Sequence, residues 1–317
     1  MSARLRPRRS PAAATLESLL AQADRILSRA RLTYGHGSRN AREEAVCLVL
    51  HALRMAPDAL NATTLRRRVT ALEQNRALDL IHARIEQRVP AAYLTHEAWL
   101  QGLRFYVDKR VIVPRSFIAE LLGEQLAPWI ADPAAVHSTL DLCTGSGCLA
   151  VILAKMFRGS RVDAVDLSAP AIAVARRNIA RYRLARRINL IESDLFAQLG
   201  GKRYDLIISN PPYVTAATMR RLPPEYRREP ALALDGGDDG FDLVDEILRQ
   251  AAHFLNPKGT LVVEIGHHRR RLEAAYPRLP FAWPETSGGD DCVFVLSRDD
   301  LVVPEALQKR PARRRAI

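Results

Sequence analysis

A strand, a glycine-rich turn and the start of a helix follow one another between residues 140 and 151, and this order constrains the fold more than any other feature of the chain. The segment reads LDLCTGSGCLAV. Gly145 and Gly147 remove side chains where a backbone approaches a ligand, and the helix that begins near Cys148 offers free N–H groups. The pattern predicts a nucleotide-cofactor loop in an α/β fold. Dinucleotide enzymes use a related G-x-G-x-x-G loop, so glycine spacing alone leaves the cofactor open.

Apolar runs of strand length alternate with helical patterns from Ser138 onward, which predicts a doubly wound, mostly parallel sheet. The predicted strands span residues 138–142, 161–166, 188–192, 204–209, 258–264, 281–284 and 292–297. Ligands of such sheets bind beyond the carboxyl ends of the strands. Four polar side chains are expected at those ends and therefore in one crevice: Asp141, Asp166, Asp194 and Asn210.

Two of these acids suit a nucleoside. A carboxylate at Asp166 accepts two ribose hydroxyls, as a nicotinamide or an S-adenosylmethionine enzyme requires. Asp194 is placed to accept the exocyclic amine of adenine, while Leu195 or Phe196 packs on the ring. The alternative for Asp166 is a cap on the following helix, a role for which Ser168 is the better candidate.

The sequence Asn210-Pro211-Pro212-Tyr213 follows the apolar run 204–209. The Asn210 side-chain oxygen and a backbone carbonyl left free by proline can each accept one hydrogen of a planar –NH2 group. Tyr213 would cover the face of that group. The alternative is a simple turn, because two prolines after a strand bend the chain on their own.

These motifs carry a resemblance to a known family. DLCTGSG, AVDLS, SDLF and SNPPY, in this order, resemble the class I S-adenosylmethionine methyltransferases that act on amide or exocyclic amino nitrogens. The VPRS segment at residues 113–116 and the EPALALDGG segment at residues 229–237 look like those of the HemK-type protein glutamine methyltransferases. The sequence PRSFIAE and the cysteine in the glycine loop resemble the PrmB branch, whose substrate is the large-subunit ribosomal protein L-three. The resemblance covers residues from about 15 to about 298.

The resemblance implies a class I methyltransferase fold, S-adenosylmethionine as cofactor, no metal, an antiparallel final strand and a protein substrate docked partly by an N-terminal helical domain. The implied catalytic residues are Asn210, Pro211 and Tyr213. The implied cofactor-binding residues are Asp141, Cys143, Thr144, Gly145, Ser146, Gly147, Asp166, Asp194, Leu195, Phe196 and Asn210. The implied substrate-binding residues are Asn210, Pro211, Pro212, Tyr213 and Glu229.

Other functions stay open at this point. Glutamine methylation of release factors uses the same chemistry. A nucleic-acid adenine or cytosine amino-methyltransferase would need the same pair of acceptors for a flipped base. A nicotinamide oxidoreductase leaves Asn210 and Asp194 unexplained, and a non-catalytic ribosome-assembly protein would need neither Asn210 nor a cofactor.

Length and periodicity predict more than one domain, because 317 residues with 48% hydrophobic content exceed a usual single core. Apolar residues recur at helical spacing through the first ninety positions, and alternation near Trp99 to Val113 predicts a hairpin. The expected parts are a basic disordered tail 1–14, a helical substrate-recognition domain 15–95, a hairpin linker 96–115, a catalytic domain 116–298 and a basic tail 299–317.

Charge is unevenly distributed along the chain. Residues 1–95 carry 16 Lys+Arg against 8 Asp+Glu, whereas residues 96–297 carry 25 against 24. Arg4 to Arg9 and Lys309 to Arg315 are interpreted as solvated tails, with contact to ribosomal RNA as the alternative. The four cysteines lack Cys-x-x-Cys spacing, and the chain shows neither a signal-peptide pattern nor a membrane-length apolar run. We therefore expect a cytoplasmic protein with packing cysteines, and the oligomeric state stays open.

Overall fold

The structure is a computed structural model that describes residues 14–302. The predicted basic segments at Arg4 to Arg9 and Lys309 to Arg315 lie outside the described residues. The chain divides into two compact units, with Thr95 ending the first and His96 beginning the second. The 96–115 segment, expected as a linker, groups with the second unit.

The first unit is helical. Side-chain caps start several of its helices; Thr15, Asn40 and Thr70, for example, each accept a hydrogen bond from an N–H in the first turn. Leucines at helical spacing, including Leu16, Leu19 and Leu48, form a fully buried core. The helices are α1 (Leu16–Arg29), α2 (Ala41–Ala52), α3 (Ala62–Leu65), α4 (Ala71–Gln87) and α5 (Ala91–Thr95).

The second unit opens with the hairpin that the alternation predicted. Strand β1 (Ala98–Leu100) pairs antiparallel with β2 (Leu103–Phe105) through a two-residue turn at Gln101 and Gly102. Helix α6 (Ile118–Gly123) follows after the VPRS segment. The hairpin therefore belongs to the second unit and precedes its central sheet.

A mostly parallel sheet forms the centre of the second unit. Its strands are β3 (Ser138–Leu142), β4 (Arg161–Asp166), β5 (Ile188–Glu192), β6 (Tyr204–Ser209), β7 (Leu255–Glu264) and β8 (Val293–Ser297). Their order is β5-β4-β3-β6-β7-β8, and only the β7–β8 pair is antiparallel. The predicted class I methyltransferase fold is confirmed, including its antiparallel last strand.

One predicted strand does not form. Residues 281–284 make a single isolated bridge, between Ala282 and Val295, so the sheet of the described residues has six strands where seven were expected. Pro280 and Pro284 bracket the segment. Proline has no N–H to donate to a ladder, so pairing cannot extend in either direction.

Helices cover both faces of the sheet. They are α7 (Cys148–Met156), α8 (Ala169–Arg181), α9 (Ala216–Met219), α10 (Asp242–Phe254), α11 (Arg269–Ala275) and α12 (Arg298–Leu301). One buried cluster packs α7 against one face, and another packs α10 against the opposite face. None of the described helices is long and apolar enough to cross a membrane.

Candidate active site

A pocket opens where the parallel strands end. It contains about 730 Å³ of space, part of it open to solvent, and its wall includes Asp166, Asp194 and Asn210. These residues come from the ends of β4, β5 and β6. The predicted convergence of polar side chains on one crevice therefore holds for three of the four residues named for it.

The glycine-rich loop forms one side of the pocket. Cys143 and Gly145 line it directly, both with positive φ. The Thr144 N–H donates to the Val165 carbonyl at 2.8 Å, which joins the loop to β4. Gly147 caps α7, and a Cβ there would lie 3.0 Å from the Ala175 Cβ. Burial raises the pKa of the Cys143 thiol, so this cysteine is a neutral part of the wall.

Asp141 does not line the pocket, contrary to the expectation that it contacts the cofactor. It is fully buried below the loop, and the Thr144 hydroxyl donates to its Oδ2 at 2.5 Å. Burial raises the pKa of Asp141 to about 7. Asp141 lies inside strand β3, so its side chain points to one face of the sheet. There it bonds to Thr144 in the turn that follows the strand and does not reach the pocket.

Asp166 is held by the loop that it faces. Its Oδ2 accepts the Gly145 N–H at 2.8 Å, and its Oδ1 accepts the Ser168 N–H at 2.9 Å. Ser168 itself caps α8, which leaves Asp166 without a capping role. Burial raises the pKa of Asp166. The carboxylate is thus fixed at the pocket wall, with lone pairs still available for a ligand.

Leu195 and Phe196 separate in the structure. Leu195 lines the pocket next to Asp194. Phe196 instead turns into the core, where it is 2% exposed and stacks on Phe254 at 4.6 Å between ring centroids. Packing on a ligand ring therefore stays a prediction for Leu195, whereas Phe196 is a core residue. Neighbouring side chains after a strand point in different directions, and the sequence could not say which one faces the ligand.

The NPPY motif reaches the pocket through Asn210 and Pro212, whereas Pro211 and Tyr213 are not among the lining residues. The Asn210 Nδ2 donates to the Arg115 carbonyl at 3.4 Å. This leaves the Asn210 side-chain oxygen as the atom that can accept a hydrogen from a ligand.

Tyr213 packs behind the motif. A Cβ on Gly266 would lie 2.9 Å from the Tyr213 Cε2, so the ring rests directly on the backbone of Gly266. The His268 ring meets the Tyr213 ring edge-on at 6.4 Å. Burial, followed by the negative charge of Glu264, raises the pKa of Tyr213. In this arrangement Tyr213 braces the motif from behind, and its expected role against the substrate amide stays a prediction.

Glu229 does not face the pocket either. Its residue exposure is 4%, and both carboxylate oxygens accept hydrogen bonds from the Arg115 guanidinium at 2.6 Å. Both carboxylate oxygens are thus engaged by Arg115, and the substrate-binding role implied for Glu229 stays a prediction. Its neighbour Pro230 does line the pocket.

The structure adds pocket residues that sequence reasoning missed. They come from the chain after the hairpin, from the EPALALDGG segment and from α10: Arg110, Val111, Ile112, Leu232, Ala233 and Leu243. Leu232 is 57% exposed, but exposure becomes visible only in the folded chain, so the sequence carried no signal for this residue. Arg110 forms an ion pair with Asp108 at 2.6 Å, a contact for which the sequence gave no signal.

Comparison with known proteins identifies the relatives of this chain. A family model described as the methyltransferase small domain matches residues 120–222. A ribosomal protein uL3 glutamine methyltransferase from Bordetella pertussis is 53% identical over 90% of this chain and 96% of that protein. Its counterpart from Neisseria gonorrhoeae is 53% identical over 92% of this chain and 97% of that protein. A methyltransferase structure from Pyrococcus furiosus aligns with a TM-score of 0.46 and 18% identity, over 71% of this chain and 98% of that one.

The parallel sheet, its glycine-rich loop and the matched domain make this chain an S-adenosylmethionine-dependent methyltransferase. Identity above one half along nearly the full length of its relatives narrows that class to one family. The chain belongs to the ribosomal protein uL3 glutamine methyltransferases. The resemblance to the PrmB branch of the HemK-type enzymes is thereby confirmed.

Proposed function

We propose that this enzyme methylates the side-chain amide nitrogen of a glutamine in ribosomal protein uL3, the large-subunit protein L-three. The observation that carries the proposal is the placement of Asn210 at the pocket wall, with its amide nitrogen engaged by the Arg115 carbonyl. Its oxygen is then the atom available to a substrate amide. The relatives named for uL3 methylation supply the substrate.

The pocket fits S-adenosylmethionine. Asp166 offers a fixed carboxylate to the ribose hydroxyls, and Asp194 and Leu195 offer an acceptor and an apolar surface to the adenine. Cys143 and Gly145 bring the loop backbone close to the ligand without large side chains. When bound, S-adenosylmethionine supplies an electrophilic methyl group on a sulfonium.

A carboxamide nitrogen is a weak nucleophile, because its lone pair is delocalised into the carbonyl. Asn210 is proposed to accept one N–H through its side-chain oxygen, and the Pro211 carbonyl to accept the other. Both hydrogen bonds raise electron density on the nitrogen and aim its lone pair at the methyl group. Alignment of this kind contributes on the order of 7 kcal/mol or more in favourable cases. The nitrogen would take the methyl group as the S–CH3 bond breaks toward sulfur, which leaves as a neutral thioether, and the methylated amide would then lose its acidic proton to water.

The protein substrate also defines the setting. A ribosomal protein is made and assembled in the cytoplasm, so we place the reaction there. The first, helical unit is proposed to dock uL3. A contact between the basic tails and ribosomal RNA is proposed as an accessory interaction, supported by their charge alone.

The test uses labelled S-adenosylmethionine with three acceptors: uL3 from an unmethylated strain, a release factor, and an oligonucleotide. We expect label on a glutamine of uL3, located by peptide mapping. Label on the release factor alone would contradict the uL3 assignment. Label on a base would contradict protein methylation altogether.

The Asn210→Ala variant tests the mechanism. Removing the acceptor should abolish methyl transfer while calorimetry shows cofactor binding largely intact, because Asn210 contacts the substrate amide. Asn189→Ala is the matched control, since Asn189 is exposed and bonds only to Asp163 among the described contacts. Loss of cofactor binding in Asn210→Ala would show that the residue was misassigned.

A further inference from the structure

Residues 113–117 form a short strap between the hairpin and α6, and two buried glutamates hold it. Glu229 holds the first half of the strap. It accepts the Val113 N–H at 2.9 Å and forms a two-pronged ion pair with Arg115. Arg115 also donates to the Val113 carbonyl at 3.1 Å and lies over the Tyr226 ring. Side-chain and backbone groups of this half are therefore fixed together.

Glu264 holds the second half. It is the last residue of β7 and is 1% exposed. Its Oε2 accepts the Ser116 hydroxyl at 2.6 Å and the Phe117 N–H at 2.9 Å. The same carboxylate interacts with Tyr213 of the NPPY motif. Glu264 therefore connects the strap to the NPPY motif.

Between these two anchors lies the Arg115 carbonyl, the group that accepts the Asn210 Nδ2. The carbonyl can point at Asn210 only while both neighbouring peptide groups stay fixed. If the Asn210 side-chain amide rotated by half a turn, its nitrogen would take the place of its oxygen. The substrate amide would then meet a hydrogen-bond donor instead of an acceptor. The orientation of Asn210 thus depends on the strap.

We infer that Glu264 is a positioning residue of methyl transfer, which together with Glu229 fixes the strap so that the Arg115 carbonyl keeps the Asn210 oxygen turned toward the substrate amide. The inference rests on the proposed role of Asn210. It assigns a function to a residue that does not line the pocket and that the sequence motifs did not mark.

The charge of Glu264 is sensitive to pH near neutrality. Burial raises its pKa to about 7, against the lowering effect of the Ser116, Phe117 and Ile118 hydrogen bonds and the Arg115 charge. The titratable groups that face it are Arg115 from the strap, Tyr213 from the motif and Cys292 before β8. The ionised form accepts both strap hydrogens more strongly. Turnover should therefore rise as pH increases through about 7.

The experiment compares Glu264→Gln with the wild-type enzyme on whichever acceptor the wild type labels. We expect kcat to fall roughly 10- to 100-fold, because misplacing a reacting group slows the chemical step by about this factor. The cofactor Kd should stay unchanged. The rise of kcat through neutral pH should disappear in the variant. Ser116→Ala removes only the hydroxyl and should lower kcat in the same direction, whereas Ser116→Thr should restore it.

Asp205→Asn is the matched control. Its carboxylate accepts the His137 and Ser138 N–H groups and the Ser138 hydroxyl, but at the opposite end of the sheet. It should lower stability while keeping the wild-type kcat and pH profile. A Glu264→Gln enzyme that behaves like this control, or one that loses cofactor affinity in parallel with kcat, would overturn the inference. Labelling of a base by the wild type would contradict the proposed function, and the comparison of variants would still decide the role of Glu264.

Discussion

Backbone contacts too close for any side chain fix the NPPY motif at the residue scale. A Cβ on Gly236 would lie 2.7 Å from the Tyr213 Cα and 2.8 Å from the Pro212 oxygen. The Gly236 N–H also donates to the Val214 carbonyl at 2.9 Å. Because the atoms in the way belong to the backbone, they cannot rotate aside. The EPALALDGG segment therefore sets where the motif lies.

Gly236→Ala should push the motif away from the pocket. We expect a loss of about 1–3 kcal/mol in the free energy of unfolding and a marked fall in methyl transfer. Urea denaturation and initial rates measure the two effects. Gly201→Ala is the control, since a Cβ at Gly201 meets nothing within 4 Å and should be tolerated. Equal behaviour of the two variants would contradict this account of the motif.

At the scale of elements, one side chain joins three parts of the catalytic unit. Asn178 in α8 is fully buried, and its Nδ2 donates to the Ser146 carbonyl at 2.9 Å and the Tyr106 carbonyl at 3.0 Å. Its Oδ1 accepts the Tyr106 N–H at 2.7 Å. The helix, the segment after the hairpin and the glycine loop thus share one amide.

Asn178→Ala leaves these backbone groups without their partner. Since an unsatisfied buried polar group costs about 1–3 kcal/mol, we expect a loss of a few kcal/mol and a weaker cofactor Kd, because the loop loses its support. Denaturant unfolding and calorimetry test this. The exposed Asn189→Ala variant should stay within about 0.5 kcal/mol of wild type. An Asn178→Ala protein as stable as that control would show that the tie is dispensable.

On the scale of the whole molecule, each of the two units has its own buried core. The helical unit buries an ion pair, with the Arg84 Nε donating to the Glu44 Oε1 at 2.7 Å and side-chain exposures of 0% and 2%. Removing one partner of such a pair leaves a charge buried and costs about 3–5 kcal/mol. The pocket belongs wholly to the second unit.

Glu44→Ala should therefore destabilise the first unit selectively. Transfer to the intact protein substrate should fall, while calorimetry finds the wild-type cofactor Kd. Thermal unfolding with and without S-adenosylmethionine separates the two units, because only the second gains stability from the ligand. A parallel loss of cofactor binding would contradict the proposal that the first unit docks the protein substrate while the second binds the cofactor.

The elements that the sequence predicted most accurately are those that depend on neighbouring residues alone. The strands β3 to β6 lie where their apolar or alternating runs predicted them, because the spacing of apolar residues along a strand is a local property of the sequence. Residues 281–284 are the exception, and Pro280 and Pro284 already indicated in the sequence that a strand is disfavoured there. Leu195 and Phe196 were not distinguishable in advance, since both are large and apolar and only packing separates them.

The α/β fold, the family and the crevice that receives Asp166, Asp194 and Asn210 could be predicted from the chain, because strand periodicity and motif order are local properties of the sequence. The position of Asp141 below the loop and the ion pair between Glu229 and Arg115 became visible only in the folded protein. The folded protein also revealed that Glu264 accepts a hydrogen bond from Ser116 in the strap, although the two residues are 148 positions apart in the chain. Partners so distant along the chain leave no local pattern, since hydrogen bonds between them exist only once the sheet has brought them together.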